Sequence, residues 1–362
     1  HQRVPRRRSS SLLISPPTTK MSQTATVDAI LTAAKAAGVS EQADLIAFAL
    51  GFAKAVDGAA GAEAPTLPSG TRPALEKKDL KERFAAVYPK IVERLQDDPI
   101  VVAKEMPSKV RDWIKRLCDY NVPHGKMNRG MICMQAGWVL GADEEQAAVL
   151  GWCIEMMQAA FLVADDIMDA SEMRRTRPCW YKLEGIGLNA INDSWILLAA
   201  VYRMLTLYCS DKPYFSRALT ILKETEYRTE LGQFLDLTSG EAEDTIQPAL
   251  FTDETYDAIV QYKTAYYSFY APIALGMAAA GITDAQAYEE AESIMMKMGR
   301  YFQIQDDYLD CFGTPEQIGK IGRDIEENKC GWLAVQALKL CNEAQLEVLK
   351  ANYAQEDPAK VA

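Results

Sequence analysis

Histidine is almost missing from this sequence, whose 362 residues include two, at positions 1 and 124. The eight cysteines form no CxxC pair and do not cluster with a histidine. A zinc site or a cysteine–histidine catalytic pair therefore has little material to form from. Scattered cysteines of this kind are typical of buried free thiols in a reducing compartment. No apolar run approaches the ~20 residues that cross a bilayer, so we predict no transmembrane helix.

Positive charge is scarce too. The chain has 39 Lys and Arg against 50 Asp and Glu, a formal net charge of −11. This balance excludes sequence-independent binding of nucleic acid, which needs a basic face. An acidic protein binds anions only where metal ions or a few well-placed arginines and lysines supply positive charge. Apolar residues make up 49% of the chain, which excludes a mainly disordered protein and allows a large core.

The first 75 residues differ from the rest of the chain. Residues 1–20 hold four arginines, one lysine and no acid, which is typical of a transit peptide, although translated upstream sequence or an expression remnant explains them equally well. Residues 21–75 are an alanine-rich extension with two short helices and a Gly/Pro linker, which we expect to be partly disordered. We expect the protein in the cytoplasm, or in mitochondria if residues 1–20 are a transit peptide.

Residues 76–362 form the third segment, and their pattern is helical. Phe84, Val87, Ile91 and Leu95 repeat at three- and four-residue intervals, without the alternation of a strand. Turn residues separate such runs at intervals of helix length. We therefore predict one large all-α domain.

Two aspartate clusters stand out in this domain. Each reads Asp-Asp-x-x-Asp and follows an apolar helix, so carboxylates one turn apart share a face. Three such carboxylates repel one another and resist desolvation, so stability alone does not account for them. Divalent cations relieve the repulsion, and Mg²⁺ with oxygen ligands fits best. The predicted metal ligands are Asp165, Asp166, Asp169, Asp306, Asp307 and Asp310.

Basic residues near both clusters complete a predicted anion site. One cluster alone would fit a solvated helix end, but two favour facing helices that share Mg²⁺ and a diphosphate. Arginines and lysines then supply charge where diphosphate oxygens need it. The candidates and their polar neighbours are Lys126, Asn128, Arg129, Arg174, Arg175, Lys263, Thr264, Lys320 and Lys329.

The motifs around these residues carry a family resemblance. They are GKMNRG (125–130), LGWCIEMMQAAFLVADDIMD (150–169), RRTRPCWYK (174–182), GLNAINDS (187–194), TELGQFLDL (229–237), YKTAYYSFY (262–270) and YFQIQDDYLDCFGTPEQIGKIGRDIEENKCGW (301–332). The chain resembles the short-chain trans-prenyl diphosphate synthases, most of all the eukaryotic farnesyl-forming members. The resemblance implies a helical bundle of the isoprenoid synthase type with a central cavity, and a homodimer.

The resemblance also implies a Mg²⁺-dependent prenyltransferase. It would join isopentenyl diphosphate head to tail (1′-4) with dimethylallyl and then geranyl diphosphate, giving farnesyl diphosphate. Three Mg²⁺ ions are implied, with Mn²⁺ as a substitute. The implied catalytic residues are Lys263, Thr264, Tyr267, Gln303 and Lys320. The implied substrate-binding residues are Lys126, Asn128, Arg129, Gln158, Arg174, Arg175, Gln233 and Lys329, with Asp236 as a further candidate.

One of the two residues a turn before the first cluster departs from the family pattern. Ala160 and Phe161 stand where farnesyl-forming members carry two aromatics at the floor of the hydrocarbon tunnel, and the resemblance makes both substrate contacts. Ala160 frees length for about one more isoprene unit, whereas Met156 and Met157 can refill the space. Farnesyl diphosphate is the expected product, and geranylgeranyl diphosphate is the alternative.

Three further departures bear on the site. His124 stands where glycine normally lets the backbone approach a diphosphate, and Arg323 stands where threonine is usual. The sequence ends at Ala362, before the family's last helices, so we expect those helices to be missing from the domain. Two other functions stay open, a terpene synthase (lyase) and an inactive partner subunit, although the isopentenyl-site residues and both aspartate motifs are present.

Overall fold

The computed structural model describes residues 72–240, 245–314, 322–355 and 357–361. The leader 1–20, nearly all of the extension 21–75 and Lys320 lie outside the described residues, so the expectations for them stay predictions. Arg72 attaches the start of the described part to the domain. Its backbone N–H donates to Val139 O (2.9 Å) and its guanidinium donates to Ala142 O (3.0 Å).

The predicted all-α domain is confirmed, because helices make up nearly all of the regular structure that is described. They are α1 (Lys77–Gln96), α2 (Lys109–Asn121), α3 (Asn128–Val139), α4 (Glu144–Met168), α5 (Ala190–Cys209), α6 (Phe215–Thr238), α7 (Asp253–Ile259), a π-helix (Val260–Tyr270), α8 (Ala271–Ala279), α9 (Ala285–Phe312), α10 (Trp332–Leu340), α11 (Glu343–Asn352) and α12 (Pro358–Val361). Two 3₁₀ turns, Trp180–Lys182 and Gly187–Asn189, precede α5. The described strands form one antiparallel hairpin, β1 (Met173–Arg174) with β2 (Arg177–Pro178).

Helix α4 is the centre of the bundle. It is apolar around most of its circumference, so it can only be stable with other helices on all sides, and it packs against α3, α5 and α8. Asp143 caps its start by accepting a hydrogen bond from the N–H of Gln146 (3.0 Å). Helix α4 is long and apolar enough to cross a membrane, but 78% of its apolar window is buried inside the protein, as in a core helix.

Two glycines bring α3 and α4 into backbone contact. A Cβ on Gly151 of α4 would lie 2.5 Å from the carbonyl oxygen of Gly130 in α3, so a larger residue does not fit there. The ring of Phe84 from α1 closes the same spot and stacks on Trp152 with centroids 4.3 Å apart. This crossing places the first turn of α3 directly beside the middle of α4.

The π-helix forms one continuous rod with α7 before it and α8 after it. Its wider turn is uncommon and often marks a functional site. Helix α6 approaches it closely at Gly232, where a Cβ would lie 2.1 Å from the backbone nitrogen of Lys263. The four elements that meet here, α4, α6, α9 and the π-helix, carry most of the predicted site residues.

Candidate active site

The first aspartate cluster lies at the end of α4. Asp165 and Asp166 occupy its last turn, and Asp169 is the residue that follows the helix. Arg174 reaches both of the first two from the β-hairpin, with Nε 2.8 Å from Asp166 Oδ1 and Nη2 3.1 Å from Asp165 Oδ2. Burial raises the pKa of Asp166, and Arg174 opposes this rise. The arginine therefore holds two adjacent carboxylates of the motif together.

Two lysines face the same cluster and meet at Asp236 of α6. Lys263 Nζ lies 2.6 Å from Asp236 Oδ2 and 3.7 Å from Asp165 Oδ1. Lys329 Nζ lies 2.9 Å from Asp236 Oδ2 and 3.3 Å from Asp169 Oδ1. Burial alone would raise the pKa of Asp236, but the two ammonium groups hold it below its usual value. Three carboxylates and two lysines thus form one partly buried network.

Helix α6 supplies a second polar side chain to this network. Gln233 lies three residues before Asp236, on the same helix face, and its Nε2 donates to Asp165 Oδ1 (3.0 Å). Thr264 follows Lys263 on the π-helix and is partly buried. Lys263, Gln233, Lys329 and Arg174, all predicted from the sequence, therefore meet at the first aspartate cluster.

The second aspartate cluster lies near the end of α9 and is mostly turned inward. Asp307 accepts hydrogen bonds from Gln303 Nε2 and from the backbone N–H of Trp332, both at 2.8 Å. Burial raises its pKa to about 6. Asp310 is buried and accepts from the N–H of Asp324 (2.9 Å), whereas Asp306 is exposed. Asp306 is thus the member of the cluster on the protein surface.

The aspartates suit Mg²⁺ by their chemistry. Among the described residues, no three His, Cys, Asp or Glu side chains meet in a geometry that would hold a metal ion alone. Mg²⁺ normally needs only one or two carboxylates, since it keeps several waters and binds substrate phosphates. Asp165 and Asp169 fit that pattern, because the lysines lie farther from them than from Asp236. The exposed Asp306 fits it as well.

A second group of charged side chains lies farther back along α4. Arg129, in the first turn of α3, donates from Nη2 to Ser268 Oγ (2.7 Å) and to the Tyr267 hydroxyl (2.9 Å). Its guanidinium carbon lies 4.5 Å from the centre of the Tyr267 ring. The buried Glu155 of α4 accepts from the N–H of Gly130 (2.8 Å). Burial raises the pKa of Glu155, and the Gly130 amide and Arg129 oppose this rise.

Arg175 belongs to the same group but lies under the loop before α3. Its Nη1 donates to Asn121 O (3.0 Å), and a Cβ on Gly125 would lie 2.7 Å from its Nη2. The close approach therefore falls at Gly125, not at His124. The His124 ring is exposed and lies with Nε2 2.8 Å from Asp119 O. His124 thus lies at the surface of the loop.

Three further predicted residues lie in the loop before α3, at the start of α3 and on α4. Lys126 is exposed in the loop, Asn128 is the first residue of α3, and Gln158 is partly buried one turn after Glu155. The expected extra cation, Arg323, lies 3.4 Å from Glu327 Oε1 on its own turn. Lys320 lies outside the described residues.

The predicted tunnel floor lies between these groups. Ala160 is 3% exposed, and the Phe161 ring meets Tyr267 edge to face with centroids 6.0 Å apart. Met156 and Met157, one turn earlier on α4, are fully buried.

All eight cysteines belong to the described residues and are free thiols, six of them buried, as expected.

Sequence reasoning missed Glu155 and Ser268 and gave Asp236 little weight. Glu155 had a readable signal, because it is the one charged residue in the apolar run from Ala147 to Ala164. Ser268 had none, since a serine within a helix has no distinctive pattern. The joining of Lys263 and Lys329 at Asp236 depends on three separate segments of the chain.

Comparisons with known proteins agree with this geometry. A family model described as polyprenyl synthetase matches residues 111–362. The chain is 45% identical over 293 residues to a farnesyl pyrophosphate synthase of Saccharomyces cerevisiae, covering 78% of this chain and 82% of the relative. It is 46% identical over 289 residues to one of Gallus gallus, covering 78% of each chain. It also superimposes on the T. brucei farnesyl diphosphate synthase complexed with risedronate, with a TM-score of 0.71, 34% identity and coverage of 78% of this chain and 84% of that one.

Proposed function

Because the chain belongs to the polyprenyl synthetase family, we propose that it condenses isopentenyl diphosphate with dimethylallyl and then geranyl diphosphate to give farnesyl diphosphate. The predicted all-α isoprenoid synthase fold and prenyltransferase class are confirmed by relatives at 45–46% identity and by the solved structures. The relatives' names favour neither a lyase nor an inactive subunit. They agree with the predicted farnesyl diphosphate synthase.

One observation carries this proposal, namely two separate sets of cationic side chains joined by the π-helix, the first of them paired with the aspartates. Lys263 on that helix faces the first aspartate cluster, and Tyr267, one turn later, holds Arg129. Along α4, Asp165 and Glu155 mark these two groups, and ten residues of helix separate them by roughly 15 Å. Two groups suit two anionic substrates whose reacting carbons meet between them.

We propose that Mg²⁺ binds at the first group. Asp165, Asp169 and Asp306 would hold it, and three ions are expected, with Mn²⁺ as a substitute. Bound there, divalent cations neutralise the charge that develops on a departing diphosphate. Lys263, Lys329 and Arg174 would bind the oxygens of the same diphosphate and so fix the allylic substrate in place.

The allylic C–O bond breaks in this step, and its electron pair leaves with the diphosphate. The allylic cation that forms lies near neutral dipoles, which we propose are the Tyr267 hydroxyl, Thr264 Oγ1 and the Gln303 amide. Arg129, Arg175, Lys126 and Gln158 would hold the isopentenyl diphosphate.

The double bond of isopentenyl diphosphate then attacks C1 of the cation. Loss of one proton from the new tertiary cation completes the 1′-4 bond. The described residues around Tyr267 include no histidine, and we propose that the released diphosphate accepts this proton.

We propose a C15 product because Ala160 is itself buried, at 3% exposed. Met156 and Met157 are fully buried and Phe161 packs on Tyr267, so little of the length freed by alanine remains. A C20 product is the alternative, and chain-length analysis of the products separates the two.

We also propose that two copies of the chain associate through α5 and α6. Trp195 (64% exposed) and Ile191 (41%) lie one turn apart on α5, while Tyr227 (63%), Leu231 (37%) and Phe234 (60%) form a stripe on α6. Exposed apolar stripes on consecutive helices are typical of an interface, and a two-fold axis would pair them with themselves. The homodimer implied by the family fits this surface. A cytoplasmic location is proposed as well, or a mitochondrial one if residues 1–20 direct import.

Purified protein with Mg²⁺ and isopentenyl diphosphate tests the activity. Dimethylallyl, geranyl and farnesyl diphosphate are supplied in turn, and the product alcohols are separated by chain length. Elongation that ends at C15 supports the proposal, and a C20 product would replace it with geranylgeranyl synthesis. Release of diphosphate and a hydrocarbon without use of isopentenyl diphosphate would show a lyase.

A further inference from the structure

Asp236 holds two lysines with one carboxylate oxygen. Its Oδ2 lies 2.6 Å from Lys263 Nζ and 2.9 Å from Lys329 Nζ. The same lysines are farther from the metal-binding motif, at 3.7 Å from Asp165 and 3.3 Å from Asp169. Asp236 is itself 10% exposed, so its charge acts in a weakly screened environment. Of the three carboxylates, Asp236 is therefore the one closest to both ammonium groups.

The backbones of both lysines are tied to the helix that carries Asp236. The backbone of Lys263 is itself the point where the π-helix approaches Gly232 on α6. Lys329 follows Asn328, whose Nδ2 donates to Gly240 O just beyond the end of α6 (2.8 Å). The Tyr353 hydroxyl donates to Lys329 O (2.8 Å) and fixes the other side of that residue. Helix α6 is thus the common support of the two cations and of their counterion.

Two lysines this close to Asp165 and Asp169 compete with any divalent cation for these two carboxylates. A flexible lysine settles on the nearest available carboxylate, and a metal then has to displace it. A third carboxylate that is not needed by the metal can keep the lysines back. Asp236 occupies that position, because it contacts both ammonium groups and lies outside both aspartate motifs.

We propose that Asp236 is a positioning residue that holds Lys263 and Lys329 for diphosphate binding and keeps them from neutralising Asp165 and Asp169. This role rests on the proposed function of the site. It makes Asp236 necessary both for metal binding and for diphosphate binding. Its effect on each passes through the two lysines, not through direct contact with either ligand.

Binding of Mg²⁺ alone, measured by isothermal titration calorimetry on the full chain, tests the role without catalysis. Asp236→Asn is expected to weaken Mg²⁺ binding about tenfold, as the loss of a charge-assisted hydrogen bond would. Inorganic diphosphate at saturating Mg²⁺ is expected to bind about tenfold more weakly as well. Asp236→Glu, which retains the charge, should recover most of both affinities.

A direct metal ligand would show the same losses, and the lysine background separates the two roles. In a chain with Lys263→Met and Lys329→Met, the further change Asp236→Asn should leave Mg²⁺ affinity within twofold. If Mg²⁺ binding falls again by about tenfold in that background, Asp236 binds the metal itself and the positioning role is wrong. The coupling between the changes is thus the quantity that decides.

Asp257→Asn is the matched control. Asp257 forms an ion pair with Arg300 (2.6 Å) outside the aspartate clusters, and each side chain is 26% exposed. This variant should lose some thermal stability while both affinities stay at the wild-type level. If it loses affinity as Asp236→Asn does, the effect of Asp236 is one of folding and the inference fails. A wild-type protein that makes no elongated product would instead refute the proposed function.

Discussion

Replacing Gly232 with alanine should push the π-helix away from α6 and loosen the diphosphate site. The new Cβ would lie 2.1 Å from the backbone nitrogen of Lys263 and 2.5 Å from its Cα. Both are backbone atoms, so no flexible side chain can yield. Since Cβ atoms essentially never come within 3.0 Å of another heavy atom, the helices must separate by about 0.9 Å, the shortfall from that limit.

That separation acts directly on the lysine network. Asp236 lies one turn after Gly232 on α6, and Lys263 Nζ is 2.6 Å from its carboxylate. Opening this contact by nearly 1 Å brings it beyond hydrogen-bond length. A lost charge-assisted hydrogen bond corresponds to about 1.5–3 kcal/mol, so the KM for the allylic diphosphate should rise at least about tenfold. Overpacking should cost a further 1–3 kcal/mol of stability, roughly 2–10 °C in melting temperature.

Thermal melting and steady-state kinetics on the full chain measure both effects. Gly331→Ala is the matched control, because a Cβ there meets Asp307 Oδ2 at an ordinary 3.7 Å. It should change the melting temperature by no more than about 2 °C and the KM by less than twofold. A wild-type KM for Gly232→Ala would contradict this prediction, as would an equal loss of function in both variants.

Three further predictions concern the rest of the site. Tyr267→Phe removes one acceptor of Arg129 (2.9 Å), so the KM for isopentenyl diphosphate should rise up to about tenfold with the allylic KM unchanged; equal rises in both would contradict the assignment. Ala160→Phe should leave no product longer than C15, which chain-length analysis of the product alcohols checks. Burial raises the pKa of Asp307 from 3.8 to about 6, so its protonation stabilises the fold as pH falls from 7 to about 4. The melting temperature of the wild type should therefore rise relative to that of Asp307→Asn as the pH falls over this range. A constant difference between the two would refute the raised pKa of Asp307.

The aspartate motifs were predictable from the sequence because their physics is local. A run of carboxylates after an apolar helix is unfavourable without a cation, wherever the helix lies in the fold. Asp165 and Asp169 accordingly lie at the end of the buried helix α4, facing lysines. The inward turn of Asp307 was not predictable, since the backbone N–H that binds it belongs to Trp332, twenty-five residues later.

The π-helix shows where local reasoning ends. The segment 260–270 has an ordinary helical composition, and its residues alone do not indicate a wider turn. What accompanies the wider turn is contact on both sides, from Gly232 of α6 and from Gly299 of α9, whose Cβ would lie 2.3 Å from Ala265. Two residues of this single element therefore face different parts of the site: Lys263 faces the first aspartate cluster and Tyr267 faces Arg129.

Contacts with distant segments also give Asp236 and Glu155 more weight than their sequence context suggested. Each is a largely buried carboxylate whose role is set by cations or amides from other segments. Asp236 meets lysines from the π-helix and from the segment before α10, and Glu155 meets the first turn of α3. A buried charge is costly unless it is paired, so an acid within an apolar helix predicts partners even where their identity is hidden. For Glu155 that rule requires a donor or a cation from another segment, and the first turn of α3 supplies both, the N–H of Gly130 and the charge of Arg129.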